Sequence, residues 1–146
     1  MINNKKILAI TLARGGSKGI PKKNIIDIQG KPLLQYTIDE VKKSKYIDHY
    51  IVSTDDVEIE NLCTKLGTTY FQRQKASDTQ SSASALYEVQ RVMNRYDYIV
   101  EIMCTNPLKT VFDIDSCIQK LIKTGADSVI AVHKLDDHHP ARIKKI

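Results

Sequence analysis

With 146 residues, 42% of them hydrophobic and 27% charged, the chain suits one domain with a packed core and excludes disordered, fibrous and membrane-spanning classes. Its N-terminus, Met1 to Lys6, lacks the basic-then-apolar pattern of a secretory signal, so a cytoplasmic protein with no membrane partner is expected. The net charge of +5 is uneven: Lys5, Lys6, Arg14, Lys18, Lys22 and Lys23 precede the first acidic residue, leaving −1 on the rest (five less six), which points to a local anionic ligand.

The run Ile7–Ala13 has strand length and is apolar throughout, as a buried parallel strand requires. Pro32 suits the first turn of a helix with Leu34, Ile38 and Val41 on one face. Tyr50–Ser53 reads as a second strand. Thr54, Asp55 or Asp56 then caps a helix carrying Ile59, Leu62, Cys63 and Leu66, and Gly67 stops it. Thr68–Gln72 is a short third strand, and Asp78 is the expected cap of a helix bearing Leu86, Val89, Met93 and Tyr96. A strand over Tyr98–Met103 follows. Thr110 with Asp113 resembles a capping box ahead of Ile114, Cys117, Ile118, Leu121 and Ile122, Gly125 ends that helix, and Ser128–Val132 is a last buried strand. This alternation predicts an α/β domain, a mostly parallel sheet with helices on both faces, with no internal boundary. Ligands bind such sheets beyond the carboxyl ends of the strands, here the loops 14–24, 53–56, 73–82 and 104–109.

The first of these loops is the most specific feature. Gly15, Gly16 and Gly19 are expected to allow positive φ and close backbone approach, Ser17 and Asn24 add hydrogen-bonding groups, and Arg14, Lys18, Lys22 and Lys23 place four cations within ten residues. Backbone N–H groups plus cations are what a polyphosphate needs. Neither the P-loop spacing nor the GxGxxG dinucleotide spacing is present. Three cysteines, Cys63, Cys104 and Cys117, without CxxC spacing read as reduced thiols. His138 and His139 beside Asp136 and Asp137 make a weak metal motif, because adjacent side chains on an extended chain point apart. With two Phe and no Trp, no nucleic-acid partner is expected. Glu101, inside an apolar strand, needs a partner if buried.

The run Ala13–Asn24 (ARGGSKGIPKKN), followed by Gly30–Leu33 (GKPL), closely resembles the signature of the N-acylneuraminate (sialic acid) cytidylyltransferases. Val52–Asp56 (VSTDD) and Ala76–Thr79 (ASDT) with Ser81 and Ser82 resemble later family segments in the right order. Thr105–Lys109 (TNPLK) is similar to the family's TSPLR, and His138–Pro140 also fits. The similarity runs across nearly the whole chain.

The resemblance implies a Rossmann-like nucleotidyltransferase fold, with residues 1–146 the nucleotide-binding part of one cytidylyltransferase domain whose C-terminal part is missing. It implies transfer of CMP from CTP to the anomeric hydroxyl of a sialic-acid-like nonulosonic acid, with release of pyrophosphate. Arg14 and Lys18 would carry the catalytic role, holding the triphosphate and stabilising the leaving group. Gly15, Gly16, Ser17, Lys23, Asn24, Arg73 and Ser82 would bind the nucleotide. Mg²⁺ would assist, its ligands expected in the missing part, and a homodimer is implied for the full-length enzyme. Met103 stands where the family typically has Gln, and Asn106 and Lys109 where it has Ser and Arg, so the acceptor sugar stays open. Two alternatives stand beside this reading: a non-catalytic CTP-binding module, and a nucleotidyltransferase for another sugar acid.

Overall fold

A computed structural model describes residues 2–17, 19–74 and 81–132. Among these residues the central sheet has four strands, β1 (Ile7–Leu12), β4 (His49–Thr54), β5 (Thr69–Gln72) and β6 (Tyr98–Glu101), in the spatial order β5-β4-β1-β6 and parallel throughout. A 3₁₀ turn (Lys23–Ile25) and a two-residue hairpin, β2 (Asp27–Ile28) with β3 (Lys31–Pro32), intervene between β1 and the first helix. The helices are α1 (Leu33–Val41), α2 (Val57–Lys65), α3 (Ser82–Val92) and α4 (Val111–Thr124).

Alternation along β1 assigns the two faces of the sheet. Ile7, Ala9 and Ala13 meet α1, α2 and α4 through Leu34, Ile38, Val41, Ile59, Cys63, Ile114 and Ile118. Leu8 and Ile10 face the other way, toward Val89 and Leu86 of α3. Leu34 and Ile38 are fully buried, and removing each from water is worth about 1.5–3 kcal/mol. Helices thus cover both faces, as the sequence pattern required. Thr11, the polar residue in β1, is satisfied twice over. Its hydroxyl donates to the Ile102 carbonyl at 2.8 Å and accepts from the Tyr50 hydroxyl at 2.8 Å. Burial pushes the Tyr50 phenol well above its ordinary range, so it remains a donor.

Several boundaries differ from expectation. Pro32 is the last residue of β3 rather than part of the helix, and α1 starts at Leu33. Of the three caps expected for α2, Asp56 is the one used, and its carboxylate accepts from the Glu58 and Ile59 amides at 2.8 and 3.4 Å. Ser81 caps α3 by accepting from the Ser84 amide, and Asp78 lies outside the described residues. β6 ends at Glu101, two residues early, because Met103 and Cys104 turn away into the following loop. Glu101 is exposed rather than buried, so it needs no compensating partner. Ser128–Val132 is not a strand. Ile130 and Val132 are 78% and 89% exposed, and no described strand pairs with the segment, so apolar composition alone forms no ladder.

The three loop glycines also behave differently from expectation. Positive φ among glycines is confined to Gly30, Gly67 and Gly125, so Gly15, Gly16 and Gly19 are not there for left-handed backbone. Gly67 and Gly125 do end α2 and α4 as expected, and the Thr110–Asp113 capping box is formed.

Candidate nucleotide site

Strand order reverses at β1: β4 and β5 lie on one side of it and β6 on the other. The crevice outside the carboxyl ends of β1 and β6 is therefore the place where a ligand meets loops from both sides. A cleft of about 370 Å³ opens there, within the ~300–1,000 Å³ range of small-molecule sites. Its wall is made by Leu12, Arg14, Ser17, Lys23 and Asn24 from β1 and its loop, Arg73 from the end of β5, and Ser81, Ser82 and Ala85 from α3. Glu101 through Thr105 complete it.

Six residues singled out from the sequence, Arg14, Ser17, Lys23, Asn24, Arg73 and Ser82, thus come together although up to 68 positions separate them (14 to 82). Gly15 and Gly16 belong to the same loop but do not line the cleft. Lys18 lies outside the described residues. Lys22 turns elsewhere: it adopts φ +50° and pairs with Glu58 of α2 at 2.5 Å, which raises its pKa. That pair is half exposed and contributes little to stability.

The loop is anchored from below. The Gly15 amide donates to Asp55 Oδ1 at 2.9 Å, and the Ala13 amide donates to the Ser53 carbonyl at 2.9 Å. A Cβ on Gly15 would sit 2.0 Å from Asp56 Oδ2, so this glycine makes room for the α2 cap. Asn24 is buried. Its Nδ2 donates to the Arg14 carbonyl at 2.9 Å, and its Oδ1 accepts from the Cys104 thiol at 3.1 Å. Asn24 therefore ties the basic loop to the loop after β6 while lining the cleft. Burial pushes the Cys104 pKa up, keeping it a thiol able to donate.

Among the described residues, the cleft wall carries three cations, Arg14, Lys23 and Arg73, and one carboxylate, Glu101. The N-terminus of α3, where the Ser81 side chain accepts from the Ser84 amide, brings the positive end of a helix dipole to the cleft. Arg73 Nε is buried without a hydrogen-bonding partner among the described residues, an orphan donor that an incoming anion would satisfy. The arrangement suits a polyanion carrying an uncharged polar portion.

Glu101 and Thr105 carry no role that the sequence assigns, whereas Met103 stands at the position of a family Gln and Ser81 falls in a family-like segment. The signal for Glu101 was a charge at the end of an apolar strand. Met103 is 65% exposed at the rim, so its side chain is available to a ligand. No group of three or more His, Cys, Asp or Glu side chains among the described residues is arranged to hold a metal ion.

A family model described as cytidylyltransferase matches residues 8–142. The chain belongs to the cytidylyltransferase family. The N-acylneuraminate cytidylyltransferase of Oncorhynchus mykiss is 33% identical over 143 residues, covering 97% of this chain and 33% of that protein. The pseudaminic acid cytidylyltransferase of a Campylobacter jejuni strain is 33% identical over 138 residues, covering 90% and 60% respectively. The chain therefore spans about a third to three fifths of these relatives' length.

Among solved structures, a CMP:2-keto-3-deoxy-manno-octonic acid synthetase complexed with CTP superposes with a TM-score of 0.76. It has 24% identity and covers 83% of this chain and 49% of that one. A cytidylyltransferase from Leptospira borgpetersenii gives a TM-score of 0.69 at 22% identity, covering 82% and 50%. Both are likenesses of fold. The chain shares with them the fold of a parallel sheet with flanking helices, and no described helix is long and apolar enough to cross a membrane.

Proposed function

We propose that the cleft binds CTP, and that the enzyme built around it transfers CMP to the anomeric hydroxyl of a sialic-acid-like nonulosonic acid. The hydroxyl oxygen attacks the α-phosphorus, the bond from that phosphorus to the bridging oxygen of the β-phosphate breaks, and pyrophosphate leaves as the hydroxyl proton is released. The observation that supports this reading best is the convergence of Arg14, Lys23 and Arg73 with the α3 N-terminus at the switch point of a family sheet. Such transfers depend on alignment and charge stabilisation more than on a covalent enzyme group.

In this reading Arg14 and Lys18 neutralise the triphosphate and stabilise leaving pyrophosphate. Lys23, Asn24, Gly15, Gly16 and Ser17 shape the phosphate and ribose side. Arg73 and Ser82 meet the nucleotide from the far wall. Names of relatives support the acceptor class: one acts on N-acylneuraminate and another on pseudaminic acid. Met103, an apolar side chain at the rim, favours an acceptor whose contact there is apolar.

Mg²⁺ belongs to the same proposal, where it would offset phosphate charge, but the described residues do not fit a protein-held Mg²⁺. Glu101 is the one carboxylate among the described residues of the cleft wall, so these residues alone offer a single anionic ligand, and substrate phosphates and water would have to supply the rest of the octahedron. No step is assigned through it. The enzyme is proposed to be cytoplasmic and homodimeric, with no nucleic-acid or membrane partner. Calorimetric titration with CTP, with and without Mg²⁺ and with UTP and GTP as controls, tests the reading. CTP-selective binding that disappears in Arg14→Ala is expected, and equal binding of all three nucleotides would overturn it.

A further inference from the structure

Lys109 sits where no ligand contact is evident, yet its ammonium is fully used. Nζ donates to Thr37 Oγ1 on α1 at 2.6 Å, to the Met103 carbonyl at 2.9 Å and to the Asn106 carbonyl at 2.7 Å. An ammonium has three hydrogens, and each has an acceptor. The group is half-buried, and the loss of solvent lowers its pKa. Two of the acceptors are backbone carbonyls of the turn that presents Met103, Cys104 and Thr105 to the cleft. From the other side of that turn, the Cys104 thiol reaches Asn24, and Asn24 reaches the carbonyl of Arg14.

We propose that Lys109 is a positioning residue: the loop after β6 is wrapped around its ammonium, and through Cys104 and Asn24 this clamp sets the placement of Arg14. The link to CTP binding rests on the function proposed above, whereas the clamp itself does not. Its geometry is specific to lysine. Three bonds converge on one nitrogen, whereas a guanidinium spreads its donors over a planar fork and cannot reproduce that convergence. Arginine at 109, the residue usual in the resembling family, is therefore a poor substitute in this chain.

Cys104 reports on the clamp directly, because it is 2% exposed while fully buried Cys63 in the α2 core serves as internal control. The test is alkylation of the whole chain with iodoacetamide, read peptide by peptide, in wild type, Lys109→Met and Lys109→Arg, with amide exchange over residues 13–24 and CTP titration alongside. In Lys109→Met, Cys104 should react roughly tenfold faster or more while Cys63 keeps its protection, as local opening without global unfolding requires. Exchange over residues 13–24 should accelerate and CTP affinity fall by about tenfold, a change equivalent to loss of one or two good hydrogen bonds. Lys109→Arg should restore the melting temperature more than it restores Cys104 protection, a split that a purely structural role would not produce.

Should Lys109→Met fail to fold, Thr37→Val, which removes one acceptor from the clamp, carries the test with a smaller rise in Cys104 reactivity. Continued protection of Cys104 in the variants overturns the proposal. So does a parallel rise at Cys63, or a rise at Cys104 with residues 13–24 and CTP affinity unchanged. If wild type binds no CTP, the proposed function fails, and amide exchange over residues 13–24 alone decides whether the clamp reaches Arg14.

Discussion

Replacing Gly15 by alanine should damage this protein far more than replacing Gly16, although the two are neighbours in one exposed-looking motif. At Gly15 a Cβ would stand 2.0 Å from Asp56 Oδ2 and 2.7 Å from Asp56 Cβ and Cγ, distances that force movement. The atom that must move belongs to the carboxylate capping α2. Loss of such a cap costs about 1 kcal/mol, and inserting a methyl into occupied space costs about 1–3 kcal/mol. Against this, reduced freedom of the unfolded chain returns about 0.4–1 kcal/mol. A net loss of about 2 kcal/mol follows, or a fall in Tm of roughly 4–8 °C for a chain of this size. At Gly16 nothing lies within 4 Å of the added Cβ and φ is not positive, so Gly16→Ala should be neutral or stabilising by about 0.4–1 kcal/mol.

Urea unfolding of both single variants, and of Gly15→Ala in an Asp56→Gly background, measures this. Because Asp56→Gly removes all three clashing atoms, the added cost of Gly15→Ala there should shrink below about 0.5 kcal/mol, giving a coupling energy of more than 1 kcal/mol between the positions. Equal effects of Gly15→Ala and Gly16→Ala, or additivity with Asp56→Gly, would show that the glycine serves the ligand rather than the helix cap.

Other perturbations separate site from scaffold. Arg73→Ala should weaken CTP binding roughly 10- to 150-fold by titration, as expected for loss of a charge-assisted hydrogen bond, while leaving the melting temperature nearly unchanged. Thr110→Ala should lower stability by about 1 kcal/mol in urea unfolding by breaking the α4 capping box, with CTP affinity unaffected. Ser53→Ala should raise stability by about 1 kcal/mol, because the Ser53 hydroxyl is fully buried with no partner among the described residues. A loss would mean that the hydroxyl is bonded in solution. The Lys6 amide and then the Lys5 ammonium hold the Asp97 carboxylate below its usual 3.8. Stability from this lowered pKa is present above the unfolded value near 4 and lost as pH falls through the folded value, so Asp97→Asn should flatten the acid limb of a pH–stability curve.

Much of this protein is written locally. Continuous apolar runs marked β1 and β4, helical spacing marked α1, α2 and α4, and the Thr110–Asp113 box and the glycines at 67 and 125 set helix ends by bonds made within a few residues. The basic loop was legible because its composition exceeds what a turn needs. Tertiary structure decided the rest. Ser128–Val132 has the composition of a strand, but a strand exists only with a partner to complete its ladder. Gly15 is small because Asp56, 41 residues later (15 to 56), comes to rest against it. Asn24 reads as a ligand contact and does line the cleft, but its amide is also drawn into bonds with the Arg14 carbonyl and the Cys104 thiol, and Lys109, in a ligand-side loop, is bonded to Thr37 of α1. Periodicity records which face of an element avoids water; which polar atom meets which depends on the sheet bringing distant loops to one edge.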